Sequence, residues 1–392
     1  MAAEPSAARP DDPGVADAAA ARYGAYVHLP FCRRVCPYCD FAVVAGREDL
    51  VERYIAALVT EAGTAAPFPD PLEAVFFGGG TPSQVAAETL GRVLRALGSR
   101  FGLAEGAEVS LEANPEDWSA PVAEGLAAAG FNRVSLGAQS FDAGVLSALG
   151  RHHRPEQAEQ AVATARGAGF ASVNLDLICG TPGESAASWR TSVERALAAG
   201  ADHLSVYALT VEHGTALSRA VAAGAPAPDP DQQEARWEEA ARLATAAGMV
   251  RYETSNFARP GHACLCNLIT WAQGEYEGFG AGAHRHRGGA RSWNLRRADR
   301  YVERLEAGES AVAGEEALSR WERERERLVL GLRRAAGVVV GEAGRRLEEA
   351  AAGRRLLSSG ILERVGGRLR VARPLLGDEV SRAVLALEEG DC

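Results

Sequence analysis

Short apolar runs alternate with longer amphipathic segments through the first 250 residues of the chain. Six apolar runs rich in β-branched and aromatic residues predict strands: Tyr23–Leu29, Ala74–Phe77, Glu108–Ala113, Arg133–Gly137, Ser172–Ile178 and His203–Leu209. Segments of helical period between and after them predict helices near 47–64, 84–101, 118–129, 155–168, 184–199 and 231–247. This alternation indicates an α/β fold with a parallel sheet. Six units are too few for an eight-stranded barrel, so we expect a partial (β/α)6 barrel or an open sheet.

Composition divides the chain into four segments. Residues 1–22 are rich in Ala, Pro and Asp and lack an apolar targeting segment, so we expect a disordered tail. Residues 23–250 hold the predicted barrel, and residues 251–314 form a Gly- and aromatic-rich extension. Residues 315–392 predict a small winged-helix-like domain from three helices and a strand: Ser319–Ala335, Leu347–Leu357, Asp378–Leu387 and Arg368–Ala372.

Charge and hydropathy exclude several classes of function. All 42 basic residues are arginine, which excludes Schiff-base lysine chemistry and a Walker-type phosphate lysine. The net charge of −10 disfavours general nucleic-acid binding, and the mixed charge of the C-terminal segment disfavours DNA binding there. Because no apolar run reaches 18 residues, we expect no transmembrane segment and a cytoplasmic protein.

Three cysteines follow the first predicted strand at spacings of four and three: Cys32, Cys36 and Cys39. Three thiolates are soft ligands that suit zinc or an iron–sulfur cluster. A closed zinc site needs a fourth ligand, which could come from His28 only if its side chain points toward the thiols. A four-iron cluster held by three thiolates would leave one iron open to a further ligand, and we favour this interpretation.

The CxxxCxxC spacing resembles the radical S-adenosylmethionine (SAM) superfamily. Five segments in order are similar to the oxygen-independent coproporphyrinogen oxidases and their haem-chaperone relatives: Tyr26–Cys32 (YVHLPFC), Phe77–Pro82 (FGGGTP), Leu111–Pro115 (LEANP), Ser135–Ser140 (SLGAQS) and Asp176–Ile178 (DLI). The resemblance runs from about residue 23 to the C-terminus. It implies a radical-SAM partial barrel, a [4Fe-4S] cluster on Cys32, Cys36 and Cys39, and SAM bound to the open iron.

The resemblance also implies ten SAM-contacting positions: Tyr26, Tyr38, Gly79, Gly80, Thr81, Glu112, Gln139, Arg151, Asp176 and Thr210. The residues themselves favour several of these. Glycines after a strand let a ligand approach the backbone, although a simple strand-ending turn also explains them. A carboxylate within a buried strand needs a partner or a ligand, so Glu112 and Asp176 indicate either a cationic ligand or an ion pair with Arg133 or Arg151.

Two functions from different classes fit this resemblance. One is a haem chaperone that binds haem and passes it to haem-accepting proteins, which could include membrane-associated respiratory proteins. The other is an oxidase that decarboxylates coproporphyrinogen III to protoporphyrinogen IX. The oxidases resemble CxxxCxxCxC, whereas this chain has Phe41 at the last position, and few residues precede Tyr26. Both features favour the chaperone, and whether SAM is cleaved stays open.

The extension departs from the chaperone pattern at the position expected to bind haem. The chaperone relatives resemble HNxxYW followed by GxGxGAH, and the His of the first motif is expected to be a haem ligand. Here Cys266 replaces that His and Thr270 replaces the Tyr, whereas the second motif is present and ends at His284. We hypothesise that Cys266 or His284 ligates haem. His262 is an alternative, haem binding here could be lost, and Cys264 and Cys266 could be small buried hydrophobes.

Overall fold

The structure, a computed structural model, describes residues 11–389. Its strands are β1 Tyr23–Leu29, β2 Phe31–Cys32, β3 Val44–Ala45, β4 Leu72–Gly79, β5 Leu103–Ala113, β6 Arg133–Gln139, β7 Ser172–Cys179, β8 His203–Ala208, β9 Val250–Arg251, β10 Asn256–Ala258, β11 Glu275–Phe279, β12 His284–Arg287, β13 Ala290–Asn294, β14 Val312–Ala317, β15 Val338–Val339, β16 Leu362–Val365 and β17 Arg368–Val371.

The α-helices flank these strands along the chain. They are α1 Pro13–Ala18, α2 Val51–Thr64, α3 Ala87–Phe101, α4 Ala120–Ala128, α5 Ala143–Ala148, α6 Pro155–Gly167, α7 Ala186–Ala198, α8 Ala216–Ala222, α9 Pro230–Ala246, α10 Leu265–Trp271, α11 Ala298–Glu306, α12 Arg320–Gly331, α13 Glu342–Glu349, α14 Ala351–Ser358 and α15 Gly377–Leu385. Within residues 11–389, no helix is both long and apolar enough to span a bilayer.

One twelve-stranded sheet dominates the molecule, in the order β14-β13-β12-β11-β1-β4-β5-β6-β7-β8-β10-β9. The run from β11 to β8 is parallel, which confirms the predicted parallel α/β sheet. The sequence did not predict the parallel strand β11. It contains buried Glu277, whose charge is balanced by Arg285 (3.1 Å) and Arg287 (3.2 Å). An acidic residue in the middle of a short strand hides the apolar pattern that identifies buried strands.

The parallel strands have two chemically different faces, because successive side chains point to opposite sides of a sheet. One face is apolar and packs against the helices. In β7, Val173, Leu175 and Leu177 belong to this core. Their neighbours Asn174 and Asp176 line a cavity on the other face. The helices therefore cover the outside of the sheet, and its inner face is left to the site.

The N-terminal segment is not wholly disordered, so that prediction is wrong for its second half. Residues 13–21 form α1 and a following short 3-10 turn, and Asp12 caps the helix by accepting the backbone N–H of Gly14 at 2.7 Å. Asp17 forms ion pairs with Arg334 (3.2 Å) and Arg368 (2.8 Å) of the C-terminal segment. These pairs, the buried Ala16 of α1 and the buried Ala19 of the turn stabilise this segment. Residues 1–10 lie outside the described chain.

The C-terminal segment from α12 onward has its own hydrophobic core, which includes Trp321, Leu328 and Leu369. Its order of helix, short strand, two helices and a β-hairpin is that of a winged helix. The single helix predicted over Leu347–Leu357 is wrong, because the chain breaks at Ala350 (ψ 147°) into α13 and α14. Gly353 marks the break, because a Cβ there would clash with the Leu347 carbonyl oxygen of α13, but a single glycine within a helical pattern does not by itself predict one.

Candidate functional site

A cavity of about 780 Å³ occupies the inner face of the sheet. All fifteen predicted site residues line it: Tyr26, Cys32, Cys36, Tyr38, Cys39, Gly79, Gly80, Thr81, Glu112, Gln139, Arg151, Asp176, Thr210, Cys266 and His284. They come from strand ends, from the loop after β2 and from the predicted extension. The structure thus brings together segments that are more than 200 residues apart in the chain, although their roles stay predictions.

The three cysteines of the loop after β2 lie at one end of this cavity, which we call the cysteine end. Cys32 ends β2, and a turn between Cys36 and Cys39 places their backbone O and N 3.1 Å apart. The Thr81 hydroxyl lies 3.8 Å from the Cys32 sulfur, and an Arg151 Nη lies 3.7 Å from the Cys36 sulfur. Hydroxyl and guanidinium donors favour a thiolate.

When no metal is bound, burial of the cysteine side chains has the opposite effect to those donors and disfavours the thiolate. It raises the pKa of Cys32 to about 11 and raises the pKa of Cys39 as well, so these thiols are protonated at neutral pH without a metal. A bound metal reverses this preference because a coordinating thiol is deprotonated. The surroundings therefore favour metal ligation over free thiolate chemistry.

The donor set fits a four-iron cluster better than a zinc ion. Among residues 11–389, no group of three or more His, Cys, Asp or Glu side chains is arranged around a single metal ion. A cubane does not require such convergence, since each thiolate binds a different iron. Both ring nitrogens of His28 are already engaged, with Tyr26 Oη at 3.1 Å and the Ala42 carbonyl at 2.9 Å. His28 is thus unsuited to be the fourth ligand of a zinc site.

The glycines after β4 are explained by close packing of the chain. Gly79 has φ +112°, and a Cβ there would lie 2.4 Å from the His28 ring. A Cβ on Gly80 would lie 2.5 Å from the Phe31 carbonyl oxygen. The fold itself demands glycine at both positions, so their contact with SAM remains a prediction that the glycines alone do not support.

Glu112 and Asp176 face the cavity from β5 and β7, and within the described chain neither forms an ion pair closer than 4 Å. Glu112 accepts the Gly79 N–H at 2.9 Å, and burial raises its pKa to about 7. Asp176 accepts Ser135 Oγ–H and Asn174 Nδ2–H, both at 2.8 Å, and burial raises its pKa too. Two carboxylates held in a cavity without a cationic partner are suited to a cationic ligand.

The two arginines considered as partners for these carboxylates are engaged elsewhere. Arg133 is 3.5 Å from Glu108 and donates to the Ser172 hydroxyl at 2.9 Å. Arg151 donates to Asn114 Oδ1 at 2.5 Å and to the Gly137 carbonyl at 2.9 Å. The ion-pair explanation of Glu112 and Asp176 is therefore wrong.

Gln139, Tyr38 and Thr210 complete the SAM-contact prediction. Gln139 adopts φ +60° at an irregularity in the pairing of β6 with β7, which is a rare conformation for a residue other than glycine. Burial raises the pKa of Tyr38 well above its ordinary value. The Thr210 hydroxyl bonds only to the nearby Ala208 carbonyl (3.3 Å) and is exposed. Its side chain gives no further support to that assignment.

The helix α10 and the loop that ends at His284 line another part of the cavity, which we call the α10 end. The Cys266 sulfur faces the Ala25 carbonyl at 3.9 Å, and burial raises the pKa of its thiol well above the ordinary value. His284 is exposed and stacks on Trp293 with ring centroids 5.9 Å apart. His262 is not among the residues that line the cavity, so the structure does not support that alternative ligand.

Several residues of the site were missed by sequence reasoning. Polar Ser135, Asn174 and Ser205 alternate with apolar residues on neighbouring strands, and that alternation is a usable indication of a lined cavity. Two exposed apolar side chains that the sequence did not indicate also line the cavity, Val35 (50% exposed) and Tyr207 (43%), beside Phe41 (61%), which the sequence did single out. Exposed apolar groups around an opening are typical of binding sites.

Comparison with known proteins gives the following matches. A family model described as the Radical SAM superfamily matches residues 26–196. The chain is 41% identical over 383 residues to Heme chaperone HemW of Mycobacterium tuberculosis (strain ATCC 25618 / H37Rv), covering 95% of this chain and 97% of that protein. It is 36% identical over 321 residues to Heme chaperone HemW of Bacillus subtilis (strain 168), covering 80% and 84%.

A solved structure shows the same fold. Coproporphyrinogen III oxidase (HemN) from Escherichia coli, a radical SAM enzyme, matches with a TM-score of 0.79 over 95% of this chain and 93% of that one. The two sequences are 22% identical, so this match describes the shared architecture and not the reaction.

Proposed function

Because the chain belongs to the HemW family of haem chaperones within the radical SAM superfamily, we propose that it binds haem at this cavity and delivers it to haem-accepting proteins. The observation that carries the proposal is Phe41, an exposed residue that lines the cavity two residues after Cys39. The CxxxCxxCxC pattern of the oxidases has a cysteine at this position. An apolar group at the opening suits an apolar macrocycle.

Membership of the superfamily implies a [4Fe-4S] cluster and SAM. In our proposal Cys32, Cys36 and Cys39 hold the cluster, whose fourth iron binds SAM when both are present. Donors at Thr81 and Arg151 stabilise the thiolates. The remaining predicted contacts surround SAM: Tyr26, Tyr38, Gly79, Gly80, Glu112, Gln139, Asp176 and Thr210.

Haem is proposed to lie toward the α10 end, with Cys266 or His284 as its axial ligand. A thiolate and an imidazole are both established types of haem ligand. Cys266 is half-buried, and because the pKa of its thiol is raised it needs the iron to lose its proton. His284 is exposed, with Nδ1 3.1 Å from the Gly282 carbonyl, so Nε2 is the nitrogen proposed to bind the iron. We place the protein in the cytoplasm, with acceptors that include membrane-associated respiratory haemoproteins.

One experiment separates the chaperone from the oxidase. Anaerobically reconstituted protein is incubated with SAM, a reductant and coproporphyrinogen III, while a second aliquot is titrated with haem and then mixed with a haem-free acceptor protein. We expect a saturable Soret change, transfer of haem to the acceptor, and no decarboxylated porphyrin. Protoporphyrinogen IX formation without haem binding would overturn the proposal. The Cys36→Ala variant controls for any product formed without the cluster.

A further inference from the structure

A chain of hydrogen bonds follows the cavity wall from Asp176 toward the α10 end. Asn174 Nδ2 donates to Asp176 Oδ1 at 2.8 Å, and Asn174 Oδ1 lies 2.6 Å from His203 Nδ1. The other ring nitrogen of His203 lies 2.9 Å from Tyr252 Oη. Asn174, Asp176 and His203 line the cavity, and Tyr252 lies behind them with 1% of its surface exposed.

The far end of this chain of bonds is the start of α10. Tyr252 Oη accepts the backbone N–H of Cys264, which caps α10, at 3.3 Å. It also accepts Asn267 Nδ2–H, from the first turn of the helix, at 3.2 Å. Cys266 lies between these two residues, so the Tyr252 hydroxyl fixes the helical turn that carries the proposed haem ligand.

The donors and acceptors give each link a single direction. Tyr252 Oη accepts two N–H groups, so its own proton goes to His203 Nε2. His203 is neutral because burial lowers its pKa well below the ordinary value, and its proton therefore lies on Nδ1 and is donated to Asn174 Oδ1. The Asn174 amide is also held by Ser135 Oγ (2.6 Å) and Ser205 Oγ (3.0 Å). Reorienting His203 or Tyr252 would leave a buried polar atom of its neighbour without a partner, so the positions of the linked groups depend on one another.

We propose that His203 and Tyr252 are positioning residues that couple the occupancy of the Asp176 site to the placement of α10 and Cys266. The proposal rests on the proposed function, in which SAM contacts Asp176 and haem binds beside α10. A ligand that fixes the Asp176 carboxylate also fixes the Asn174 amide, then His203 and Tyr252, and finally the first turn of α10. By linkage, the coupling is reciprocal, so a ligand at α10 favours SAM by the same factor.

The test measures α10 directly. Amide hydrogen exchange of residues 265–271 is followed in cluster-loaded protein with and without SAM, and SAM affinity is measured on the same samples. In wild type, SAM should slow the exchange of α10 by about three- to tenfold, the range that one hydrogen bond supplies. In Tyr252→Phe, which removes only the hydroxyl, SAM should still bind while α10 exchange no longer responds.

Tyr301→Phe is the matched control. It also removes a buried tyrosine hydroxyl, but that hydroxyl donates to Glu61 Oε2 (2.6 Å), whose hydrogen bonds hold the glycine-rich loop and include no residue of α10. Its α10 should respond to SAM as wild type does. If Tyr252→Phe does not fold, His203→Gln interrupts the same chain one link earlier and should give the same loss of response.

The outcomes distinguish this proposal from the proposed function. The coupling alone would be overturned if bound SAM left the amide exchange of α10 unchanged in wild type. It would also be overturned if SAM still slowed the exchange of α10 in Tyr252→Phe. Wild-type protein that binds neither SAM nor haem would overturn the proposed function and the coupling with it. A response present in wild type and Tyr301→Phe, and absent in Tyr252→Phe, supports the proposal.

Discussion

The two ends of the cavity are built in different ways. The cysteine end stands on the parallel strands and on the loop after β2, and it contains the three cysteines of the CxxxCxxC motif. The α10 end is built by one short helix and a glycine-rich loop after β11, and it departs from the pattern at Cys266 and Thr270. A rigid sheet keeps the first end in place, whereas the second end depends on contacts with several other elements.

Those contacts show what holds the α10 end. Glu61 of α2 accepts the Gly280 N–H at 2.9 Å and Tyr301 Oη–H at 2.6 Å, and so holds the glycine-rich loop. Arg333, after α12, stacks on Trp271 of α10, with its guanidinium carbon 4.6 Å from the ring centroid. Because the α10 end is held partly by the C-terminal segment, its ligand chemistry can change without disturbing the cluster.

The largest effect should come from the cysteine end. Cys36→Ala removes one of three thiolates, and a cubane with two protein ligands is not held, so iron content should fall from about four per chain to near zero. Iron and sulfide analysis and the visible absorbance after anaerobic reconstitution check this. The matched Cys179→Ala variant alters a thiol outside the cavity and should keep the cluster. Unchanged iron in Cys36→Ala would refute the cluster assignment.

Some features of this molecule were predictable from the sequence, and others follow only from the tertiary structure. The six strands of the barrel were predictable because buried parallel strands are continuous apolar runs. Most of the fifteen cavity residues were predicted only through the resemblance to the family, although the convergence of strand ends agrees with their grouping. Strand β11 was not predicted, since Glu277 interrupts its pattern. The helix α1 was missed because its tertiary contacts, which include the ion pairs of Asp17 with Arg334 and Arg368, are more than 300 residues away in the chain. The position of Tyr252 behind His203 likewise follows only from the tertiary structure.

The second-largest effect should come from substituting the proposed haem ligands at the α10 end. If one residue ligates haem, its alanine variant should lose the Soret shift and weaken haem binding by about tenfold or more, since a lost axial ligand is rarely replaced. Haem titrations of Cys266→Ala and His284→Ala check this, with His262→Ala as the control outside the cavity. Cluster content should stay unchanged in all three. If both lining variants bind haem as wild type does, the ligand hypothesis is wrong.

The pH dependence of SAM binding sharpens the comparison at the cysteine end. The pKa of Glu112 is raised to about 7, so the carboxyl group is neutral below that pH and charged above it. A proton competes with a cationic ligand for the carboxylate, so SAM affinity should fall, by roughly tenfold, as pH decreases from 8 to 6. Isothermal titration with cluster-loaded protein measures this.

The Glu112→Gln variant is the control for that pH dependence. It keeps the shape and the acceptor for the Gly79 N–H but cannot ionise. Its SAM affinity should be low and nearly independent of pH across the same range. A slope equal to that of wild type would assign the titration to another group and remove Glu112 from the contacts.

The smallest effect tests whether the C-terminal domain supports the α10 end alone. Arg333→Gln removes the guanidinium over Trp271, an interaction of about 0.5–1 kcal/mol, so haem affinity should fall by about two- to fivefold. SAM affinity should fall less, because α10 reaches the SAM site only through Tyr252 and His203. Arg346→Gln removes the guanidinium over Trp321 (4.7 Å), a similar contact within the C-terminal domain, and should leave both affinities as they are. Parallel haem and SAM titrations of the two variants measure this. Equal losses of haem and SAM affinity in Arg333→Gln would show that the two ends are held as one body, and the division of the cavity would then be wrong.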